Sequence, residues 1–321
     1  MSAPVRVGTR ASVLATTQSR LVGDRIAELL GREIELVEIS TEGDRTQAAG
    51  TPLAGSATTG VFVSALRDAL LDGRVDVAVH SLKDLPTYPA EGIALVAIPG
   101  REDPRDVVVA RDGLTLGELP VGSRVGTGSP RRAAQLLALG LGVEVAGVRG
   151  NVDTRIGKVR SGEYDAVVLA RAGLARIGRL DEATEVLDPL QMLPAPGQGA
   201  LAVECRQDDD LAAQLREVLD DPRARAAVEA ERAVLATLEG GCSAPIGALA
   251  EMVEGEDGEE LWVRAIALSP DGGLSVRMSA TGDPADAAGV GDRLAKEMLA
   301  DGAGDLDRPE NDHSLDKVQN A

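Results

Sequence analysis

The chain has 321 residues, 44% of them hydrophobic, so it is long enough for two or three domains with separate cores. Acidic residues outnumber lysine and arginine by 52 to 33, and the net charge of -19 disfavours binding to nucleic acid or anionic membranes. The N-terminus shows no apolar signal segment, and no run of about 18 apolar residues follows it. We therefore expect a cytoplasmic protein without a membrane span.

Short β-branched runs alternate with helical patterns over the first hundred residues, which predicts a parallel sheet with crossover helices. The predicted strands are residues 5–8, 34–39, 75–79 and 93–98. A helix is predicted over residues 12–30 with Ser12 as its N-cap, and another over residues 61–71. These elements indicate one α/β domain.

The same alternation begins again after Pro99 and Gly100, which predicts a second α/β domain entered through residues 101–105. Its predicted strands are residues 107–110, 124–127, 143–148 and 166–170. The segment 194–199 contains two prolines and two glycines and is typical of another crossing. We expect the next strand, residues 201–205, to return to the first domain.

The last third of the chain predicts a small α+β domain followed by a tail. Its predicted elements are a helix at 222–238, strands at 261–268 and 274–280, and a helix at 285–299. The polar residues from 301 onward are typical of a flexible tail. The expected domains are residues 1–99 with 199–217, 100–198 and 218–300, with the tail at 301–321.

Residues 80–86, His-Ser-Leu-Lys-Asp-Leu-Pro, follow an apolar strand. In open α/β sheets ligands bind at the carboxyl ends of strands, which favours a functional site here. The alternative is a surface turn in which Ser81 and Asp84 cap backbone amides. His80 is more typical of a hydrogen-bonded scaffold than of a ligand. Since the only other histidine is His313 in the tail, no metal site is expected.

A second polar segment, Gly126 to Arg132, predicts a helix that begins with Ser129 as N-cap and Pro130 at the first helical position. Arg131 and Arg132 beside the positive end of the helix dipole favour a bound carboxylate or phosphate, and the alternative is two solvated arginines on a capped helix. Other arginines follow strand ends in the same way: Arg10, Arg149, Arg155 and Arg176. This clustering in an acidic chain suits a ligand with many carboxylates.

The two cysteines have different surroundings. Cys205 lies in an apolar strand and is expected in the core. Cys242 follows two glycines and comes shortly before Pro245, which presents its thiol on a loop, whereas a small inert residue in a tight turn is the alternative. No histidine follows in this motif, so a Cys-His protease has little support.

These segments are similar, in order, to motifs of the hydroxymethylbilane synthase (porphobilinogen deaminase) family between about residues 5 and 299: HSLKDLP, REDPRD, GTGSPRR, RGNVDTR, LPAPGQGA and EGGCSAPIG. The resemblance implies an α/β fold with two periplasmic-binding-protein-like (type II) domains and a third, small α+β domain. It implies a transferase of porphyrin and heme biosynthesis that adds four porphobilinogen molecules to a dipyrromethane cofactor. That cofactor is expected on Cys242 through a thioether, and hydrolysis then releases hydroxymethylbilane.

The resemblance also implies roles for individual residues. Asp84 is the expected catalytic residue, because a carboxylate accepts pyrrole N–H bonds and stabilises a cationic intermediate. The residues expected to hold the cofactor carboxylates are Lys83, Ser129, Arg131, Arg132 and Arg155. The residues expected around the substrate are Arg10, Ser12, Phe62, Thr127, Arg149 and Arg176.

Some points stay open. Phe62 is equally typical of a core helix. Residues 57–60, Ala-Thr-Thr-Gly, replace a Gly-Lys-Gly type segment of many relatives, so this chain has no lysine at that place for a lid contact. A monomer is also expected, since nothing in the sequence suggests an extensive apolar interface, and no metal, nucleic acid or membrane partner is expected. One alternative is a non-catalytic anion-binding module, which has no use for Cys242 or Asp84, and another is a simple thiol enzyme.

Overall fold

The computed structural model describes residues 3–39, 57–239, 245–255 and 258–306, and for residues 57–62 the backbone alone. Across these ranges, no helix is long and apolar enough to cross a membrane. The strands and helices are β1 (Val5–Thr9), α1 (Val13–Leu30), β2 (Ile34–Glu38), α2 (Ala57–Leu71), β3 (Val77–Ser81), β4 (Ile93–Ala97), β5 (Asp106–Ala110), β6 (Arg124–Gly126), α3 (Pro130–Ala138), β7 (Glu144–Ala146), α4 (Val152–Arg160), β8 (Ala166–Ala170), α5 (Arg171–Arg176), β9 (Glu185–Val186), β10 (Leu201–Arg206), α6 (Asp210–Leu219), α7 (Pro222–Glu239), β11 (Ile246–Glu254), β12 (Glu259–Leu268), β13 (Ser275–Gly282) and α8 (Ala287–Ala300).

The first sheet has the strand order β2-β1-β3-β10-β4. Strand β1 runs parallel to β2 and β3, whereas β10 lies antiparallel between β3 and β4. Helix α1 buries Val22 and Ile26 against Val5 and Val7 of the sheet. The prediction that the strand after the second crossing returns to the first sheet is therefore confirmed.

The second sheet has the order β7-β6-β8-β5-β9, with β6 parallel to β7 and β8 and with β5 antiparallel to β8 and β9. The two sheets share one pattern, in which a single antiparallel strand occupies the fourth position. The sequence shows no repeat, so the pattern appears only in the strand pairing. It confirms the predicted fold class of two periplasmic-binding-protein-like α/β domains.

The third sheet, β11-β12-β13, is antiparallel and is covered by α7 and α8. Val234 and Leu238 of α7 lie in one core with Leu294 and Met298 of α8. A Cβ atom at Gly291 would lie 2.1 Å from the carbonyl oxygen of Ala230, so only glycine allows the helices to approach this closely. The prediction of a small α+β domain is confirmed.

Several predicted bounds differ from the observed ones. Helix α2 begins at Ala57 instead of residue 61. The residues before Val61 are small or polar, so the first turn of this helix lacks the apolar pattern on which the prediction was based. Strand β3 covers residues 77–81 instead of 75–79. The sequence analysis missed β11, whose inward residues are mostly small, and α6, whose buried Leu211, Leu215 and Leu219 recur every four residues.

The two chain segments that cross between the α/β sheets touch each other. The backbone N–H of Glu102 donates to the carbonyl oxygen of Gly199 over 3.2 Å. Gly199 has a φ of 88°, and a Cβ atom there would lie 2.3 Å from the carbonyl oxygen of Glu102. Glycine is therefore required where the crossing segments meet.

The carboxylate of Glu231, in α7, is fully buried and joins these crossing segments to the third sheet. The guanidinium of Arg101 donates to both carboxylate oxygens over 2.7 and 3.0 Å. The backbone N–H groups of Gly197 and Ala250 donate to the same carboxylate over 2.7 and 2.8 Å. Both crossings and β11 are thus held by one side chain.

Candidate active site

The turn after β3 carries Lys83 and Asp84. Leu82 is fully buried and anchors this turn, so the two charged side chains that follow it reach solvent. The hydroxyl of Ser81 does not cap the turn and instead accepts a hydrogen bond from Nε2 of Gln18 over 3.1 Å. The alternative of a surface turn capped by Ser81 is therefore wrong.

The start of α3 is formed as predicted. The Ser129 hydroxyl accepts from the backbone N–H of Arg132 over 3.4 Å, and Pro130 occupies the first turn. The hydroxyl of Thr127 accepts from the N–H of Ser129 over 3.2 Å, which fixes the loop before the helix. Both of these predicted ligand residues therefore shape the backbone that presents the arginines.

The side chains of Arg131 and Arg132 are each only 5% exposed, so the alternative of two solvated arginines is wrong. The anion that lies beside them is a carboxylate of the protein itself. Asp106, fully buried at the start of β5, accepts from Arg131 over 2.9 Å and from Arg132 over 2.7 Å. Burial opposes ionisation of Asp106, yet the two guanidinium charges outweigh it and hold its pKa well below the usual range.

This cluster keeps an excess of positive charge, because two arginines share one carboxylate. Within the described part of the chain, the buried Nε of Arg131 has no hydrogen-bond partner. Arg155 is bonded there through its Nε alone, which donates to the carbonyl oxygen of Gly150 over 2.8 Å. A buried cationic set with unused donors fits a ligand that brings further carboxylates.

A cavity of about 300 Å³ lies between the two α/β domains and is lined by both. The first domain contributes Arg10, Ser12 and Lys83, and the second contributes Arg132 and Arg155. Five of the predicted ligand residues are thus brought together from both sides of the cleft. We call this the larger cavity.

A second cavity of about 190 Å³ lies in the first domain and shares Arg10 and Ser12 with the larger one. Asp84 lines this smaller cavity together with Gln18 and His80, while Leu14, Val63, Leu66 and Val79 provide an apolar wall. A carboxylate, an arginine and four further polar side chains therefore surround a space with an apolar side. This combination suits a small ring that carries acidic groups.

Five predicted site residues are absent from the described linings of both cavities: Thr127, Ser129, Arg131, Arg149 and Arg176. Arg131 lies behind Arg132 and donates to the carbonyl oxygen of Leu193 over 2.6 Å. Arg176 donates to the carbonyl oxygen of Gly199 over 2.5 Å, so in this structure it holds the crossing between the domains. Arg149 is exposed near the start of α4.

Two other predicted residues cannot be located in this way. Cys242 belongs to segment 240–244, which lies outside the described residues. The described chain nevertheless fixes both ends of that segment, at Glu239 in α7 and at Pro245 before β11. Phe62 lies in α2, but its side chain is outside the described atoms. The same holds for Thr59, in the segment 57–60 that differs from many relatives.

The ammonium of Lys83 has unusual surroundings for an accessible lysine. The side chain is exposed to solvent in the cleft, but the protein on both sides of the cleft replaces much of the water that would otherwise solvate the ammonium. This desolvation and then the positive charge of Arg132 lower the pKa of Lys83 to about 8, against the smaller opposite effect of Asp84. Lys83 is therefore cationic at neutral pH and loses its charge under mildly alkaline conditions.

The sequence analysis did not single out Glu204, a buried carboxylate that lies beside His80 and Arg67. Glu204 of β10 binds Arg67 through two hydrogen bonds of 2.7 and 3.1 Å and lies 3.2 Å from Nε2 of His80. Burial alone would raise the pKa of Glu204, but His80 and Arg67 lower it to about 2. An acidic residue in an otherwise apolar strand was the available signal for Glu204.

Cys205 agrees with its prediction as a core residue. Its side chain is fully buried in β10, among Val5, Leu215 and Leu219. Burial raises the pKa of its thiol to about 12, so the reactive thiolate is disfavoured.

Comparison with known proteins agrees with this arrangement. The family model "Porphobilinogen deaminase, dipyromethane cofactor binding domain" matches residues 5–214, and the model "Porphobilinogen deaminase, C-terminal domain" matches residues 225–300. The porphobilinogen deaminase of Mycobacterium tuberculosis is 57% identical over 307 residues, which cover 94% of this chain and 98% of that protein. The porphobilinogen deaminase of Mycobacterium marinum is 56% identical and covers 94% and 96%.

Solved structures offer a weaker likeness. Immunogenic lipoprotein A from Vibrio vulnificus matches 70% of this chain over 98% of its own length, at 11% identity and a TM-score of 0.43. The matches in sequence are decisive, because the two family models together span both α/β sheets and the third sheet. The chain belongs to the porphobilinogen deaminase family.

Proposed function

We propose that this chain is an active porphobilinogen deaminase, a transferase that joins four porphobilinogen molecules head to tail and releases hydroxymethylbilane. The observation that carries the proposal is the pair of adjoining cavities between and beside the α/β domains. One is lined by cations from both domains and the other by Asp84, and they share Arg10 and Ser12. A growing chain of acidic pyrroles requires such a connected site.

We assign the larger cavity to a dipyrromethane cofactor held through a thioether to Cys242. Lys83, Arg132 and Arg155 would bind its acetate and propionate groups, with Arg131 and Ser129 behind them. When bound, this group supplies the pyrrole carbon to which the first substrate unit is joined. The segment that carries Cys242 follows α7, so the third domain would present the cofactor to the cleft.

We assign the smaller cavity to the incoming porphobilinogen. Arg10 and Ser12 line it directly. Four further residues would contact the substrate at later additions or after the two domains move: Phe62, Thr127, Arg149 and Arg176. Asp84 accepts a hydrogen bond from the pyrrole N–H and stabilises the positive charge that develops as ammonia leaves. Its carboxylate is also suited to hold the proton that the pyrrole carbon releases when the new bond forms.

We further propose that the protein works in the cytoplasm as a monomer, without a nucleic acid or membrane partner. The domain boundaries that we propose are 1–99 with 199–217, 100–198 and 218–300, followed by a tail at 301–321. The pairing of β10 with β3 and β4 supports the discontinuous first domain.

Intact-protein mass spectrometry combined with Ehrlich's reagent, which colours pyrroles, tests the proposal. We expect the active chain to carry the added mass of two pyrrole units and to give the colour reaction. The Cys242→Ser variant should lose both, whereas Cys205→Ser should retain both because Cys205 is a core residue. Active protein with an unmodified Cys242 would overturn the proposal. A non-catalytic anion-binding module instead predicts an unmodified Cys242 and no activity.

The charge of Lys83 gives a pH prediction. A carboxylate binds Lys83 only while the ammonium is protonated, so the contribution of Lys83 to ligand binding is present below pH 8 and is lost above it. Formation of the cofactor by cofactor-free chain should therefore slow by about tenfold between pH 7 and pH 9.5, the size expected for one charged hydrogen bond. The Lys83→Arg variant stays cationic, and the same alkaline step in that variant would contradict the assignment.

A further inference from the structure

The side chain of Gln198 connects the two sides of the cleft beneath the larger cavity. It is 1% exposed and lies in the second crossing segment, just before β10. Its Nε2 donates to Oδ1 of Asp106 over 2.8 Å and to the carbonyl oxygen of Pro104 over 2.6 Å. Its Oε1 accepts from the ammonium of Lys83 over 3.2 Å. One neutral amide thus separates a cation of the first domain from a carboxylate of the second.

The orientation of this amide is fixed by the chemistry of its partners. An ammonium can only donate and a carboxylate can only accept, so the opposite orientation would set the amide N–H groups against Lys83 and the amide oxygen against Asp106. The backbone is held as well, because Nε of Arg101 donates to the carbonyl oxygen of Gln198 over 2.9 Å. Gln198 therefore has a single favourable arrangement.

Without the amide, nothing that bonds to both groups would stand between Lys83 and Asp106, whose charge already attracts the ammonium, as does that of Asp84. Direct pairing would draw the ammonium down into the floor of the cleft and away from the larger cavity. It would also take from Arg131 and Arg132 part of the carboxylate that stabilises them. A neutral side chain that satisfies both groups prevents this collapse and leaves the charge of Lys83 directed at a ligand.

We propose that Gln198 is a positioning residue, which holds Lys83 at the wall of the larger cavity and keeps it apart from Asp106. The role of Lys83 toward a carboxylate ligand rests on the proposed function, whereas its position does not. Gln198 itself touches no reacting atom in this scheme. It acts through Lys83, and it also links the crossing segment to both domains.

The position of Lys83 can be followed by NMR, because the chain has only four lysines, at positions 83, 158, 296 and 317. Reductive methylation with ¹³C-formaldehyde gives each a signal, and the Lys83 signal is the one missing from Lys83→Arg. In Gln198→Met, which keeps the length of the side chain but not its hydrogen bonds, Lys83 should pair with Asp106. Its titration should then move to higher pH by roughly one unit or more, with Arg131, Arg132 and Asp84 as the other charges that face it.

Gln135→Met is the matched control. Gln135 is also a buried glutamine and bonds to Leu193, but its described partners do not include Lys83. It should leave the Lys83 titration unchanged whatever its effect on the unfolding midpoint. If Gln198→Met does not fold, Gln198→Asn replaces it, since the shorter amide cannot reach both partners. An unchanged Lys83 titration in the folded Gln198 variant would overturn the proposal even if the proposed function is correct.

A double-mutant cycle gives a second readout. If Gln198 acts through Lys83, the Gln198→Met change should slow cofactor formation in the native chain but cause little further loss in a Lys83→Met background. Additive losses would indicate a structural role and would overturn the proposal. Failure of the proposed function would appear differently, as absence of pyrrole on Cys242 with the NMR result intact.

Discussion

The Asp84→Asn variant is expected to keep the fold of the native chain and to lose about a hundred- to ten-thousand-fold in kcat. The side chain is exposed in the smaller cavity, so an amide of nearly the same shape causes no steric conflict. The amide carries no negative charge, however, and cannot take up a proton. Both the stabilisation of a developing cation and the transfer of the pyrrole proton should therefore fail together.

Steady-state kinetics with porphobilinogen and thermal unfolding of the same samples measure the two parts of this expectation. Asp153→Asn is the matched control. Asp153 is an exposed carboxylate that pairs with Arg179, and it lines the larger cavity but not the smaller one. It should retain most of the activity. A kcat for Asp84→Asn within about threefold of the native value would remove Asp84 from the catalytic assignment.

Replacing Glu231 with Gln is expected to lower the free energy of unfolding by about 3–5 kcal/mol, the cost of leaving a buried charge without its partner. The carboxylate receives two donors on each oxygen, from Arg101, Gly197 and Ala250. The amide would place its own N–H groups against two of those donors. The guanidinium of Arg101, which is largely buried, would lose its counter-charge.

Denaturation by urea, monitored for both α/β and third-domain signals, checks this expectation. Glu229→Gln provides the control, since Glu229 lies on the same helix, is exposed and pairs with Arg225 over 3.3 Å. Exposed pairs of this kind contribute about 0–1 kcal/mol. A loss of less than about 1 kcal/mol in Glu231→Gln would show that the crossings are held by other contacts.

Local signals in the sequence were sufficient where one residue fixes its neighbours. Ser12 and Ser129 cap the predicted helices, because the N-cap preference depends only on hydrogen bonds within three residues. The core position of Cys205 followed from the apolar strand around it. The arginines that meet at the cleft were also predicted, since the carboxyl ends of parallel strands share one edge.

The internal partners of those arginines could not be predicted in the same way. Asp106 is one of many acidic residues, and nothing near it in the chain indicates that two arginines 25 and 26 residues later converge on it. Gln198 has no distinctive neighbours beyond its Pro- and Gly-rich segment. Glu231 had a signal, because it falls on the buried face of α7 with Ala227, Val234 and Leu238, where a charge requires a partner.

The place of β10 in the first sheet has a consequence for synthesis of the chain on the ribosome. In the described sheet, β4 pairs with β10 alone, and β10 is made only after every strand of the second sheet. The second α/β domain has all of its strands once residue 186 has emerged, whereas the first remains open until residue 206. The domain that begins the chain is therefore completed after the domain that follows it, which reverses the usual N-terminal-first order of folding during translation.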